Sequence, residues 1–103
     1  MRERHPCVYI LANGRNGTFY IGVTSNLIQR IYQHRQGEIP GFTSRYKVAL
    51  LMWFEMHGTM EGAIRREKSI KRWRREFKMN LIEQANPQWN DLTIGSGFDA
   101  LKE

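Results

Sequence analysis

Two short β-rich runs on either side of an Asn/Gly turn commit the start of this 103-residue chain to a β-hairpin. The first run is residues 6–12, Pro-Cys-Val-Tyr-Ile-Leu-Ala, and the second is residues 18–23, Thr-Phe-Tyr-Ile-Gly-Val. Residues 13–17 between them read Asn-Gly-Arg-Asn-Gly, and Asn-Gly pairs favour the tight turns of hairpins. The fold must therefore include an antiparallel pair, and a chain of this length holds one domain.

The next two segments predict a helix followed by a strand. Residues 24–26, Thr-Ser-Asn, are typical N-cap residues, and apolar side chains then recur at helical spacing as far as Gly37, a typical C-cap residue. This pattern predicts a helix over about 25–36. Residues 47–56 are mostly apolar and predict a buried strand, although a short apolar run also suits a helix.

A long second helix is predicted over about 60–84. Thr59 suits its N-cap, and the Asn-Pro pair at 86–87 suits its end. Its predicted apolar stripe consists of Ala63, Ile70, Trp73, Phe77 and Leu81.

The order of elements is β-β-α-β-α, which predicts an α+β fold with a small three-stranded antiparallel sheet flanked by helices. Residues 1–92 would form the single domain, with Trp89 and Leu92 docking back onto its core. Residues 93–103 contain Gly95, Ser96 and Gly97 and few apolar anchors, so we expect a flexible C-terminal tail there.

The excess positive charge of the chain is confined to one segment. Sixteen Lys and Arg residues against ten Asp and Glu residues give a net charge of +6, and residues 65–78 alone account for all of it. Such a local excess indicates a polyanionic partner, either nucleic acid or an anionic membrane surface. The basic side chains of the segment are Arg65, Arg66, Lys68, Lys71, Arg72, Arg74, Arg75 and Lys78.

Cysteine content and hydropathy exclude several classes of protein. The single cysteine, Cys7, rules out an intrachain disulfide and a zinc site built on cysteine pairs. No apolar run approaches the roughly 20 residues that span a bilayer. We therefore expect a cytoplasmic protein that does not reside in a membrane.

Glu67 is the first residue with two open interpretations. It lies at the edge of the predicted apolar stripe, between Ala63 and Ile70, inside the most basic segment. It is either a ligand for Mg²⁺, which binds through one or two carboxylates plus substrate phosphates, or an exposed partner of Lys71 four residues later.

Two further pairs of residues are candidates for chemistry. Arg30 and His34 share one helical face, as a phosphate-binding pair or as ordinary surface residues. Tyr9 and Tyr20 occupy the two arms of the hairpin, either as packed aromatics or as phenols facing a site. Such a phenol would act as a base only if nearby positive charge lowered its pKa.

Arg45 and Tyr46 follow a Gly-Pro loop. They suit contacts with a phosphate or a base, and they suit the polar entry to a strand equally well.

The ordered set of motifs matches a known family. Residues 7–9 read Cys-Val-Tyr, residues 20–22 read Tyr-Ile-Gly, Arg30 lies on the next helix and Glu67 on a later one. This order resembles the GIY-YIG nuclease superfamily, although Cys and Val stand where the first namesake triplet has Gly and Ile. The stretches 66–73 and 86–89 are similar to the small single-domain bacterial branch, so the resemblance covers about residues 5–92.

The resemblance implies a metal-dependent phosphodiesterase that cuts DNA. Glu67 would hold a single Mg²⁺ or Mn²⁺ on the scissile phosphate, and Arg30 would stabilise the charge that develops there. Tyr9, helped by Tyr20 or His34, would orient or deprotonate the attacking water. Many relatives also place an asparagine near the site, for which the candidates here are Asn80, Asn86 and Asn90.

We therefore expect a DNA endonuclease, structure-directed because so small a chain has little surface for reading sequence, of the kind used in DNA repair or recombination. Two alternatives stay open at this point. One is a non-cleaving nucleic-acid-binding module of the same fold. The other is a catalytic subunit that needs a protein partner for targeting, docked on exposed apolar surface around Trp89 and the tail.

Overall fold

The structure, a computed structural model, describes residues 5–15, 17–38 and 47–94. The α+β class and the three-stranded antiparallel sheet predicted from the sequence are confirmed. In the described ranges, no helix is long and apolar enough to cross a membrane. The elements in chain order are β1 (Cys7–Ala12), β2 (Phe19–Thr24), α1 (Leu27–Arg35), β3 (Leu50–Met56), α2 (Met60–Arg72) and α3 (Arg75–Ala85).

The sheet has the order β2-β1-β3, and β1 is its central strand. The hairpin pairs Cys7 with Thr24 at one end and Ala12 with Phe19 at the other. The side chain of Asn13 closes the turn by accepting a hydrogen bond from the backbone N–H of Thr18 at 2.9 Å. All six residues of β1 are buried, as expected for an apolar run that pairs on both sides and is covered on both faces.

Alternation along β1 divides the core into two layers. Val8 and Ile10 face α2 and α3 in one layer, while Tyr9 and Leu11 face α1 in the other. The sheet thus lies between one helix on one face and two helices on the opposite face.

The helix caps predicted from the sequence are present. Asn26 accepts a hydrogen bond from the N–H of Gln29 at 3.1 Å, and Thr59 accepts one from Gly62 at 3.1 Å. Gly37 follows α1 with a left-handed φ of 70°, which suits glycine because it has no Cβ. The expected helix over 25–36 is confirmed, with Leu27–Arg35 as its bounds.

The strand predicted over 47–56 begins later than expected, at Leu50. Lys47 has a left-handed φ of 55° and belongs to a turn, so the strand cannot start there. The strand interpretation of this apolar run is confirmed against the helical one.

The predicted long helix over 60–84 is two helices, because Trp73 and Arg74 are extended, with ψ angles of 151° and 153°. Tertiary contacts at this break replace helical hydrogen bonds. The ammonium of Lys78 donates to the carbonyl of Lys71 at 3.3 Å, near the end of α2.

The break also changes which residues of the second half are buried. Phe77, expected in the apolar stripe, is 52% exposed, while Ile82 is fully buried. Because the chain changes direction at the break, α3 turns a different face towards the sheet than a continuous helix would.

The segment after α3 runs back along the outer edge of β3. The N–H of Leu92 donates to the carbonyl of Leu51 at 2.8 Å, and the guanidinium of Arg35 binds the Asp91 carboxylate at 2.9 Å. Arg35 also donates to the Thr93 hydroxyl. The edge of β3 is therefore covered, whereas β2 is an edge strand with no further strand partner among the described residues. Of the tail predicted over 93–103, Thr93 and Ile94 are described and hydrogen-bonded to Arg35 and Asp91, and residues 95–103 lie outside the described residues.

Asn86 holds this return segment in place. Its amide nitrogen donates to the carbonyls of Met52 at 3.1 Å and Asn90 at 2.8 Å, and its amide oxygen accepts from the N–H of Asn90 at 3.0 Å. The side chain is buried, so its role is to join α3 to the sheet. Asn80 and Asn90 are exposed.

We expect Asn86→Ala to lower the free energy of unfolding by about 1–3 kcal/mol, because it leaves buried backbone groups of the return segment unpaired. Asn80→Ala, at an exposed position on the same helix, is the matched control and should change stability by less than about 0.5 kcal/mol. Urea unfolding of both variants measures the difference. Equal stability of the two variants would contradict the structural role of Asn86.

Candidate active site

Tyr9 and Tyr20 lie on the same face of the hairpin, the face that α1 covers. The register pairs Tyr9 with Gly22 and Leu11 with Tyr20, so the two tyrosines are diagonal neighbours. Their ring centroids are 6.2 Å apart, with an angle of 37° between the planes. Strand pairing therefore brings the two motif tyrosines together.

Gly22 provides the space in which these rings meet. A Cβ at this position would come within 2.5 Å of the phenol oxygen of Tyr9 and 2.9 Å of the Tyr20 ring. Because Tyr9 is 1% exposed and cannot swing out, no larger residue fits opposite it without moving the phenol.

His34 completes a compact group with the two phenols. The Tyr9 oxygen and Nε2 of His34 are 3.1 Å apart and hydrogen-bonded, and the His34 ring lies edge-on to Tyr20 at 5.2 Å between centroids. His34 is buried on the inner face of α1, one turn after Arg30. The charge of Arg30 acts on both Tyr9 and His34, so the structure brings these four predicted residues together.

Burial controls the protonation of this group. The pKa of Tyr9 is raised, first by burial and then by Tyr20, and the opposing effect of Arg30 is smaller. The pKa of His34 is lowered, first by burial and then by the charge of Arg30. The positive charge near Tyr9 is therefore present as the sequence led us to expect, but burial outweighs it. At neutral pH the phenol is protonated and the imidazole is neutral.

Cys7, which replaces the first glycine of the namesake motif, is fully buried in the same layer as Tyr9. Burial raises the pKa of its thiol to about 12. A buried thiol with so high a pKa is a packing residue and not a nucleophile.

Glu67 lies apart from this group, on α2, whose buried neighbours Ala63 and Ile70 pack on the opposite face of the sheet. Its side chain is 12% exposed and pairs with the ammonium of Lys71 at 2.7 Å. The i,i+4 partner anticipated from the sequence is thus present, but the carboxylate is buried and not on an exposed face. No hydrogen bond joins Glu67 to Tyr9 in the described structure. Within the same residues, no group of three or more His, Cys, Asp and Glu side chains is arranged to hold a metal ion.

The eight basic side chains of residues 65–78 fall into two sets. One set has partners within the protein: Arg66 with Glu55, Lys71 with Glu67, Arg75 with the carbonyl of Gly17 and the ring of Phe19, and Lys78 with the carbonyl of Lys71.

The other set is exposed and has no ion pair or hydrogen bond to any described residue. These four side chains are therefore available to phosphate without loss of an internal contact. They are Arg65, Lys68, Arg72 and Arg74. The other two predicted nucleic-acid contacts, Arg45 and Tyr46, lie outside the described residues.

Sequence reasoning missed a polar cluster at the end of β3. The carboxylate of Glu55 accepts from Nε of Arg66 at 3.1 Å and lies 2.7 Å from Nε2 of His57. Strand periodicity carried a signal, because residues two apart on a strand share a face. Arg66 lies on α2, so no local pattern in the sequence predicted its contact with Glu55.

Most of this chain matches the model of a known catalytic domain. The model of the GIY-YIG catalytic domain matches residues 5–80. The chain belongs to the GIY-YIG family. The matched residues contain both tyrosines, Arg30, His34 and Glu67, so all of the predicted catalytic residues lie within this GIY-YIG domain.

Two curated relatives of this GIY-YIG chain belong to the UPF0213 group. A UPF0213 protein from Staphylococcus haemolyticus is 32% identical over 77 residues, which cover 75% of this chain and 93% of the relative. A UPF0213 protein from Syntrophus aciditrophicus is 34% identical over 82 residues, covering 79% and 92%.

The fold of the GIY-YIG chain is also similar to a solved structure. The solution NMR structure of the UPF0213 protein BH0048 from Bacillus halodurans superposes with a TM-score of 0.54 at 23% identity. The match covers 89% of this chain and 98% of that protein, and at this identity it supports the fold alone.

Gly22→Ala should lower the free energy of unfolding by about 1–3 kcal/mol, because the added methyl group overlaps the Tyr9 phenol in a packed core. Gly58→Ala is the matched control, since a Cβ at Gly58 would have open space around it. Chemical unfolding compares the two. A Gly22→Ala protein as stable as Gly58→Ala would show that the Tyr9 phenol is free to move.

The lowered pKa of His34 predicts how stability depends on pH. In the unfolded chain histidine titrates near 6.5, above its pKa in the folded protein. As pH falls below about 6.5, the unfolded chain therefore takes up a proton that the buried imidazole refuses, and the folded state loses stability.

His34→Gln should remove this component, which is at most about 1.4 kcal/mol per pH unit. Unfolding measured from pH 7.5 to pH 5 gives the slope for both proteins, and the other histidines contribute equally to each. Identical slopes would contradict a buried, neutral His34.

Proposed function

We propose that this chain is a divalent-metal-dependent endonuclease that hydrolyses phosphodiester bonds in DNA. The observation that carries the proposal is the hydrogen-bonded group of Tyr9 and His34 beside Arg30, within a domain of the GIY-YIG family. Hydrolysis of a phosphodiester needs an activated water and stabilisation of the charge that develops on the phosphate.

Arg30 supplies the positive charge in this proposal. Arg30 lies one turn before His34 on α1, and its charge affects the pKa values of both Tyr9 and His34. A phosphate bound by Arg30 is proposed to lie on the same side of the sheet as the phenol. A guanidinium is always protonated and presents several donors to phosphate oxygens, which suits a charge-stabilising role.

The protonation states favour a relay between Tyr9 and His34. A protonated phenol cannot itself act as a base, but it can donate its proton to a neutral imidazole as it accepts one from water. The Tyr9 oxygen is buried in the free protein, so the proposed step begins when substrate binding admits the attacking water to it. The water then gives a proton to the Tyr9 oxygen as the Tyr9 proton passes to Nε2 of His34 across the 3.1 Å contact. The step needs the His34 tautomer that carries its proton on Nδ1. Tyr20, in contact with both rings, would orient the pair.

Glu67 is the proposed ligand of a single Mg²⁺ or Mn²⁺. One carboxylate fits the chemistry of these ions, which commonly bind through one or two protein carboxylates and complete their coordination with water and substrate phosphates. The bound ion would neutralise charge on the scissile phosphate.

These groups are proposed to act on one phosphate at the edge of the sheet. The Tyr9 group lies on the α1 face and Glu67 on the α2 face, and both α2 and β1 pack against β2. Since β2 is an edge strand, a phosphate at that edge is accessible from both faces.

The free cations of α2 and the following turn, together with Arg45 and Tyr46, are proposed to bind the flanking DNA backbone. DNA repair or recombination, action on structured DNA and a cytoplasmic location stay predictions from the sequence.

The alternative of a partner docked around Trp89 has less support. Trp89 stacks on Phe19 with centroids 5.7 Å apart, and its indole N–H donates to Glu83 at 2.8 Å. The tryptophan is thus used inside the domain. The non-cleaving binding module remains the second candidate, because the same fold and charge would serve it.

Glu67→Gln should reduce cleavage of DNA by at least about 100-fold while DNA affinity changes by less than about twofold, because it removes the proposed metal ligand and leaves the basic surface intact. Glu76→Gln is the matched control, with the same change of charge on an exposed residue of the same basic segment. Cleavage with Mg²⁺ or Mn²⁺ is measured on duplex, single-stranded and branched DNA.

Full cleavage by Glu67→Gln would contradict the metal-ligand role and leave Glu67 only its ion pair with Lys71. Binding without cleavage by the wild-type protein on every substrate would favour the binding module.

A further inference from the structure

A surface groove of about 610 Å³ runs along α3, away from the Tyr9 group. It exists because the break after α2 turns α3 and leaves side chains of both helices facing solvent together. It is lined by Arg66, Trp73, Phe77, Asn80, Leu81 and Gln84.

The groove presents an aromatic platform. Phe77 is 52% exposed, and in the described structure no other ring stacks on it. The neighbouring Trp73 is held in place by the guanidinium of Arg66, which lies 5.4 Å from the centre of its ring. A large exposed aromatic in a concave surface favours the binding of another flat ring.

Polar groups able to form hydrogen bonds lie on the same wall. Asn80 and Gln84 are four residues apart on α3 and share the exposed face that carries Phe77. Both are exposed, and neither side chain bonds to another described residue. A primary amide both donates and accepts, which suits the edge of a nucleobase.

Positive charge without an internal partner in the described structure lies on the outward face of α2, the helix that contributes Arg66 to the groove. Arg65 and Arg72 are seven residues apart on α2, so they project from one face. Both are exposed and without a partner among the described residues, whereas Glu55 already balances Arg66. This face of α2, next to the groove, is thus complementary to a polyanion.

We propose that this groove binds an unpaired stretch of DNA. Bases stack on Phe77 and bond to Asn80 and Gln84, while the phosphates lie against Arg65 and Arg72. Aromatic platforms within a basic groove are the usual means of binding single strands, because every base has a face that can stack. Duplex DNA does not fit, since its bases are already stacked on one another. The inference rests on the proposed nuclease function and assigns its substrate: DNA in which a single-stranded segment adjoins the bond to be cut.

The test compares two oligonucleotides of equal length and charge, a thymidine oligomer and its abasic counterpart. Fluorescence anisotropy in EDTA measures the affinity of the full chain for each without cleavage. We expect the thymidine oligomer to bind about tenfold more tightly than the abasic one.

Phe77→Ala should remove most of this preference and retain the weaker affinity for the abasic oligomer. Tyr32→Ala, at an exposed aromatic of α1 that is 59% accessible, is the matched control and should keep the preference. Replacing Arg65 and Arg72 with Gln should weaken binding of both oligomers alike and reduce the salt dependence by about two phosphate contacts. Circular dichroism and unfolding verify that each variant is folded.

Equal affinity for the two oligomers, or an unchanged preference in Phe77→Ala, would overturn the proposal. So would a dimer at micromolar concentration that Phe77→Ala dissociates, because the groove would then belong to a second copy. Cleavage separates this failure from failure of the nuclease. If the protein cuts DNA but binds both oligomers equally, the groove proposal is wrong and the nuclease proposal stands. If it prefers the thymidine oligomer but cuts no DNA, the nuclease proposal is wrong and the groove still binds bases.

Discussion

Burial of β1 on both faces is the constraint on which the rest of the structure depends. Every element packs directly or through a neighbour on this strand, so each residue of β1 has one allowed direction. Tyr9 carries a hydroxyl into this apolar layer, where an unpaired polar group would be costly. His34 meets the need with a hydrogen bond from α1. The bond that would move a proton during catalysis is therefore also one that the core requires. Its geometry is set by packing before any substrate arrives.

The two sides of the sheet divide the work of the protein. The α1 side holds buried groups whose protonation is set by exclusion of water. The side of α2 and α3 holds charge that stays in water, where it can attract a polyanion at long range. The edge strand β2 separates these environments over the thickness of a single sheet. Under the proposed function, the α2 side would attract a charged substrate and supply Glu67, and the α1 side would supply the buried Tyr9 group.

Local signals made much of the fold predictable. These signals act between residues that are close in sequence, so the sequence alone reveals them. They are the turn at Asn13, the helix caps at Asn26 and Thr59, and the alternation in β1. The break at Trp73 gave no signal, because no Gly or Pro marks it and side chains from elsewhere satisfy the helix end. The order of the motif residues along the chain predicted the GIY-YIG family, which the family model confirms.

Environment, by contrast, had to be seen in the structure. The sequence indicated positive charge near Tyr9, but it did not show how deeply the phenol is buried. Burial raises the pKa of Tyr9 more than the charge of Arg30 lowers it. Asn86 was one of three equal candidates for the site until its buried bonds to the sheet set it apart. The groove at Phe77 likewise follows from a change in helix direction. These features depend on how deeply a side chain is buried and on how a helix is oriented, and the periodicity of the sequence does not report either one.

The return segment held by Asp91 bonds to the outer edge of β3 at Leu51. Among the described strands, the edge that remains without a partner is that of β2, which carries Tyr20 and pairs with the strand of Tyr9. A second copy that added a strand there would occupy the path of the substrate. Under the proposed function, self-association through the edge of β2 and cleavage of DNA would then compete, and activity per molecule would fall as the protein concentration rises.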